Sequence, residues 1–295
     1  MPTAVELTGF LQDILKLDAI DNPFAQQAFP LLDSQIDPGL GALTSATTPR
    51  SFAAAERQYG FAFDAIGAGA FGLGFDLQRD AVVFNAINEV LGGDNALSGT
   101  GDGGAGRGLF GGGGGAGHTA DVLTGGGGGA GFAPLDLLLF QTGGALETFG
   151  ADLADLGRVR SQTQLTALEN RLNADAATLA SDFTTLGTDA AAFGAALGGR
   201  APTTVTTATT NPVTTPPSAS ALLGDAVYNV AASFTQIGAD WGGGGGSGTQ
   251  LFGGGGGAGT VLNNLHTDFA TLDTNIQALG GPLAHLLLPA VTPVG

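Results

Sequence analysis

Cysteine is absent from this chain, so disulfides and thiolate chemistry are excluded and the redox compartment is left open. Lysine occurs once, as Lys16, and the other cations are arginines. Nine cations face 26 acids, for a net charge of −17. That balance argues against nucleic acid, whose phosphates demand a basic footprint. It argues equally against electrostatic attachment to anionic lipid. Charged residues make up 12% of the chain, about half the usual share for a globular domain. No run of eighteen apolar residues exists, so no transmembrane helix is expected. The N-terminus carries Glu6 and Asp13 and no basic region, which is unlike a cleaved secretory signal. An export route without a cleaved signal stays open.

Glycine is what the chain has in plenty. The stretch Leu109 to Gly117, LFGGGGGAG, returns letter for letter at Leu251 to Gly259. Close copies without the Leu-Phe lead occupy Gly125 to Gly131 and Gly242 to Gly248, the latter with Ser247 in place of alanine. Each glycine costs about 0.5–1 kcal/mol relative to alanine in a regular element. Five in a row therefore oppose helix by several kcal/mol. Two states remain for the blocks. One is a solvated flexible loop. The other is a packed threefold helix of the polyproline (polyglycine) II type, in which the missing Cβ allows close backbone contact.

The remainder reads as mainly α, amphipathic helices interrupted by glycine-rich segments. Five regions follow from composition: an N-terminal helical region 1–98, a glycine-rich segment 99–132, a long-helix region 133–199, a Thr/Pro linker 200–218, and a helical region 219–295 holding the second glycine segment 242–259. In residues 4–17, Leu7, Phe10, Leu11, Ile14 and Leu15 share one helical face. The segment from Asp37 to Pro49 looks like loop. Ser51 is the expected N-cap of a helix carrying Phe52, Tyr59, Phe61 and Phe63. Residues 65–75 fit either a closely packed glycine-faced helix or a pair of turns. Asp76 to Leu91 is helical by pattern, with Gly92-Gly93 closing it. Gly143-Gly144 is expected to divide the helix that starts near Leu135. In 161–198, Leu165, Leu172, Leu179, Leu186 and Phe193 recur every seven residues, which favours packing on another long helix. A bend is expected at Gly187 and Gly194, and a stop at Gly198-Gly199. Leu222 to Ile237 and Leu262 to Leu279 give two more helices, the last ended by Gly280-Gly281-Pro282.

Two echoes lie outside the glycine blocks. Asp182 to Asp189 resembles Asp268 to Asn275, and Asp80 to Asn85 resembles Asp225 to Asn229 with one gap. The chain therefore reads as a diverged internal duplication, with the Thr/Pro stretch as a spacer inside the second copy.

No motif carries chemistry. His118, His266 and His285 are distant in sequence and lack the paired spacing of a zinc site, so each reads as isolated and solvated. Gly99 to Gly104 matches a dinucleotide-binding glycine pattern but follows a predicted helix, not a strand. Lys16 is far from every glycine block, which excludes a phosphate-loop lysine. The blocks hold only Asp102 and Asp121, too few for calcium-binding nonapeptides. Ser247 lacks the strand-turn-helix setting of a nucleophile elbow. Acids such as Asp152, Asp155, Asp175, Asp182 and Asp189 are scattered along helices, and the last three, seven apart, read as one solvated polar stripe. Trp241-Gly242-Gly243 spells a W-x-G turn, and neither Tyr59 nor Tyr228 heads a Tyr-x-x-x-acid export signal. No catalytic, cofactor-binding or metal residue is assigned.

The stretch from Gly99 to Gly117, GTGDGGAGRGLFGGGGGAG, resembles the glycine-rich part of mycobacterial PE-PGRS proteins, with their GGAGG-type units and Leu-Phe-Gly punctuation. The resemblance covers the two glycine regions alone, and residues 1–98 are unlike the PE helical domain. It implies an actinobacterial origin and an envelope or secreted location, with the cytoplasm as the alternative, and transfers no functional residue. The expected function is a non-enzymatic structural or interaction protein, with protein partners or self-association through helix faces. The alternative is a helical protein that binds lipid or a small molecule.

Overall fold

The computed structural model describes residues 35–93, 135–201, 217–243 and 258–287. The amphipathic segment 4–17, most of both glycine blocks, the Thr/Pro stretch, His118, Ser247 and the tail beyond 287 lie outside the described residues. Among the described residues every regular element is helical, so the mainly α expectation holds. A helical segment at 35–44 comes first. Six helices follow: α1 Pro49–Gly93, α2 Leu135–Leu156, α3 Gln162–Ala196, α4 Ala219–Gly243, α5 Ala258–Ala278 and α6 Gly280–Leu287.

The starts of these helices are written in the sequence. Thr48 and Ser51 form a reciprocal cap on α1: the Ser51 amide donates to Thr48 Oγ1 at 3.2 Å, and the Thr48 amide donates to Ser51 Oγ at 3.0 Å. Ser51 is thus the third helical residue, not the cap, and Pro49 holds the first position, where its missing N–H costs nothing. Ser161 caps α3 by accepting from the Gln164 amide at 3.3 Å. Ser218 does the same for α4 from Ala221 at 3.1 Å. At the end of α3, Gly198 sits at φ 84, its amide bonds the Ala195 carbonyl, and the Gly199 amide bonds the Gly194 carbonyl. This closure uses glycine because a Cβ at that φ would be strained.

Two expectations, a loop from Asp37 and a break at Gly143-Gly144, fail. The residues from Asp37 do not form a loop up to Pro49, because 35–44 are helical. Gly143-Gly144 does not divide α2, and Gly187 and Gly194 do not interrupt α3. The physical reason is the packing of long antiparallel helices. Gly60, Gly67 and Gly74 of α1 recur every seven residues and meet, in reverse order, Gly157 in the turn after α2 and Gly150 and Gly143 within it. A Cβ added at Gly150 would lie 2.5 Å from the Gly67 carbonyl oxygen. In α3 and α4, Gly187 lies on Ala231 and Thr235, Gly194 on Gly224, and Gly238 on Ala180 and Thr184. Each glycine loses about 1 kcal/mol of helix propensity. Backbones that approach this closely recover it through dense van der Waals contact. The turn alternative for 65–75 is thereby removed: these residues are helical and close-packed.

The sequence order runs up α1, down α2, up α3, down α4 and up α5. The two tight pairs, α1 with α2 and α3 with α4, join along α2 and α3. One continuous core results, in which Phe149 meets Trp241 edge-on at 4.8 Å and Phe84 meets Phe193 at 6.5 Å. Trp241 lies in the last turn of α4, so the W-x-G residues mark no turn before Gly243. The two copies of the Asp-Phe echo touch, with Phe183 and Phe269 edge to face at 5.6 Å. Gly280-Gly281-Pro282 changes the helix direction but does not end helical structure, since α6 begins at Gly280. No helix among the described residues is long and apolar enough to cross a membrane.

Candidate functional site

The first candidate lies between α4 and α5, in an open groove of about 230 Å³ lined by Asn229, Ala232, Ser233, Gln236, Asp268, Thr271 and Asn275. Asn275 Nδ2 donates to Ser233 Oγ at 2.8 Å and to the Asn229 carbonyl at 3.2 Å, which pins α5 to α4. At one end, burial pushes the Asp268 carboxyl up to about 7, reinforced by its hydrogen bond with Asp240 and by the Asp240 charge. Gln236 Nε2 donates to Asp240 Oδ2 at 3.4 Å. Asp268 can therefore hold and release a proton near neutral pH. The hydroxyl of Ser233, the nucleophile type at this groove, is already hydrogen-bonded.

The second candidate is a groove of about 320 Å³ at the α2–α3 turn, lined by Asp155, Arg158, Val159, Gln164, Ala167, Leu168 and Arg171. Its arginines are committed. Arg171 holds Asp152 with two contacts at 2.9 and 3.0 Å, and this pairing raises its pKa further. Arg158 bridges Asp64 at 2.9 Å and Asp155 at 3.1 Å, and Arg160 reaches Glu56 at 2.5 Å. The pairs tie α1, α2 and α3 together and leave this groove no unpaired cationic side chain to receive an anion.

The third feature is apolar. Phe61, Phe71, Phe75 and Val82 on α1, with Leu137 and Phe140 on α2, are exposed, Phe61 to 79% and Phe140 to 56%. Arg79 stands over the Phe75 ring at 5.5 Å and pairs with Asp76.

The acidic stripe is a correction. Asp175, Asp182 and Asp189 do share one line on α3, yet they are half-buried, not solvated. Each lies one turn from buried leucines or Phe193, and burial raises all three carboxyls, as it does Glu169. Asp152 and Asp155 pair with Arg171 and Arg158. His266 is half-buried on α5, while His285 is exposed on α6. No group of three or more metal-ligating side chains occurs among the described residues. The Asp240–Asp268 pair escaped sequence reading because 28 positions and a glycine block separate the two. Its one sequence signal is that Asp268 directly precedes the core residue Phe269.

No protein-family model, curated protein or solved structure matches this chain.

Proposed function

We propose that this chain is a non-enzymatic structural or interaction protein of the actinobacterial cell envelope or secreted fraction. It serves as a helical scaffold that presents its glycine-rich segments to protein partners. The observation that supports this reading is the pair of seven-residue small-residue seams, Gly60-Gly67-Gly74 on Gly157-Gly150-Gly143 and Gly187-Gly194 on Ala231-Gly224. They join long helices backbone to backbone. At about 1.5 Å per residue, α3 alone is ~52 Å long. The up-down order places the ends of α1 and α2 next to 94–134 at one end of the bundle, and those of α4 and α5 next to 244–257 at the other. Such a bundle suits a spacer with an attachment segment at each end. The lipid or small-molecule alternative gains nothing from the two grooves, which are open and lined largely by polar side chains.

The test is fractionation of an actinobacterial host producing the tagged chain, with protease shaving of intact cells. Recovery in the envelope or medium, with shaving inside 94–134 or 244–257, is the expected result. A chain confined to the cytosol and resistant to shaving overturns the location and, with it, the surface role.

A further inference from the structure

Every lysine and arginine of the chain lies at or before Arg200, so α4, α5 and α6 carry neither. Their ionisable side chains are Asp225, Tyr228 and Asp240 on α4, His266, Asp268 and Asp273 on α5, and His285 on α6. Across the α4–α5 contact, Asp240 and the half-buried Asp268 meet in a hydrogen bond. An ionised carboxylate only accepts, so one of the two is protonated, and the burial of Asp268 makes it the holder. Among the described residues the neighbouring helices bring no lysine or arginine to this pair. α3 reaches it through Phe183, whose ring packs on Phe269, and the ionisable group beside that ring is Asp182, another acid. The one arginine of α3, Arg171, is about three turns from Asp182 and holds Asp152 of α2. His266 lies about 200° around α5 from Asp268, and His285 is exposed on α6. At the start of α5 the acid is Asp37, whose Oδ1 accepts from the Gly259 amide at 3.2 Å.

We propose that the α4–α5 contact is a proton-dependent latch: α5, with α6, stays seated on α4 while Asp268 is protonated and lifts from it as that proton is lost, while α1 to α4 remain folded.

The way α5 is held makes it the part that lifts. Gly224 and Gly238 of α4 face α3 and bring those two backbones into contact. α5 meets α4 through side chains instead, with the open groove of about 230 Å³ between them. Asn275 clamps one end by its bonds to Ser233 and the Asn229 carbonyl, and Asp37 holds the other. Asp268 stands between these two points, on the same face of α5 as Asn275, seven residues away. Lifting returns its carboxyl to water. The seated carboxyl is raised from 3.8 to about 7, so over that range the seated form keeps a proton that the lifted form has released. The latch is therefore firmest at low pH and weakens as pH rises through about 7. Above that, two carboxylates face each other with no lysine or arginine on either helix to offset them. Asp268 is only half-buried, so water screens part of the effect, and the opening equilibrium should rise by about tenfold between pH 5 and pH 8.

The test is native-state amide hydrogen exchange on the full-length chain at pH 5 and pH 8, corrected for the intrinsic exchange rate at each pH. The expected result is that amides of α5 lose about tenfold more protection than those of the α1–α2 seam, and that Asp268→Asn removes this excess. Unchanged protection in α5 overturns the proposal. So does an equal loss in α5 and in the α1–α2 seam, which reports a change in global stability and no latch. An excess loss that survives in Asp268→Asn belongs to His266 and also overturns it. If Asp268→Asn does not fold, Asp240→Asn takes its place. Without the facing acid the excess loss should shrink by half or more, and an undiminished loss overturns the proposal.

Discussion

Gly67 of α1 and Gly150 of α2 oppose each other so closely that a Cβ on either would press into the other's carbonyl oxygen. Neither neighbour can yield, because the crowded atoms are backbone held in two helix ladders. Gly67→Ala and Gly150→Ala should each destabilise the chain by about 1–3 kcal/mol, the usual cost of overpacking. Gly72 lies on the same helix with open space around its Cβ position. Gly72→Ala should instead stabilise by roughly 0.5–1 kcal/mol through helix propensity. Urea unfolding of the three variants decides the matter. Equal, small effects at all three positions would show that the seam is looser than described.

Gln162, the first residue of α3, extends its side-chain amide to the carbonyls of Leu43, Thr44 and Ala46 at 3.3, 3.0 and 2.7 Å. These carbonyls lie at and just past the end of the 35–44 helical segment, where Leu43 also accepts from the Ala46 amide at 3.1 Å. One amide thereby closes a helix more than a hundred positions away in sequence. Gln162→Ala should cost about 1 kcal/mol, with Gln162→Glu no better, since a carboxylate cannot donate. Amide hydrogen exchange should quicken at 35–46 while the α3–α4 seam keeps its protection. Unchanged exchange at 35–46 would remove the capping role.

Asp268 governs a pH dependence opposite to the usual acid denaturation. Its folded carboxyl is raised from 3.8 to about 7 by burial and by Asp240. Between those values the folded chain holds a proton that the unfolded chain has released. Stability is therefore greatest below the unfolded value and is lost as pH rises through about 7. Asp175, Asp182, Asp189 and Glu169 are raised by burial and act with the same sign. The urea midpoint should fall between pH 5 and pH 8. Asp268→Asn should flatten part of that slope and raise the midpoint at pH 8. A midpoint that rises over this interval would contradict the assignment.

The helices themselves were legible. The seven-residue recurrence from Leu165 to Phe193 predicted α3 and its buried face, and Leu165, Leu172, Leu179, Leu186 and Phe193 are all in the core. Gly198-Gly199 was rightly read as a stop, because a positive φ after a helix is a local property of the chain. Local reasoning failed wherever a partner helix changed the meaning of a residue. Gly187 and Gly194 looked like weak points in an isolated helix and are contact points in a paired one. Phe71 and Phe75 are large and apolar, yet they stand exposed on α1, which no pattern within that one helix shows.

The sequence by itself determined the class of fold, the helix caps, the heptad phase of α3 and the absence of thiol chemistry. Each of these depends on neighbours within a turn or two, or on composition alone. Only the tertiary structure decided which glycines interrupt and which join, which phenylalanines stay exposed, and that Asp240 lies beside the Asp268 carboxyl. These depend on distances between segments far apart in the chain. Such distances follow from which helix faces find each other, and pattern within a single helix leaves that choice open.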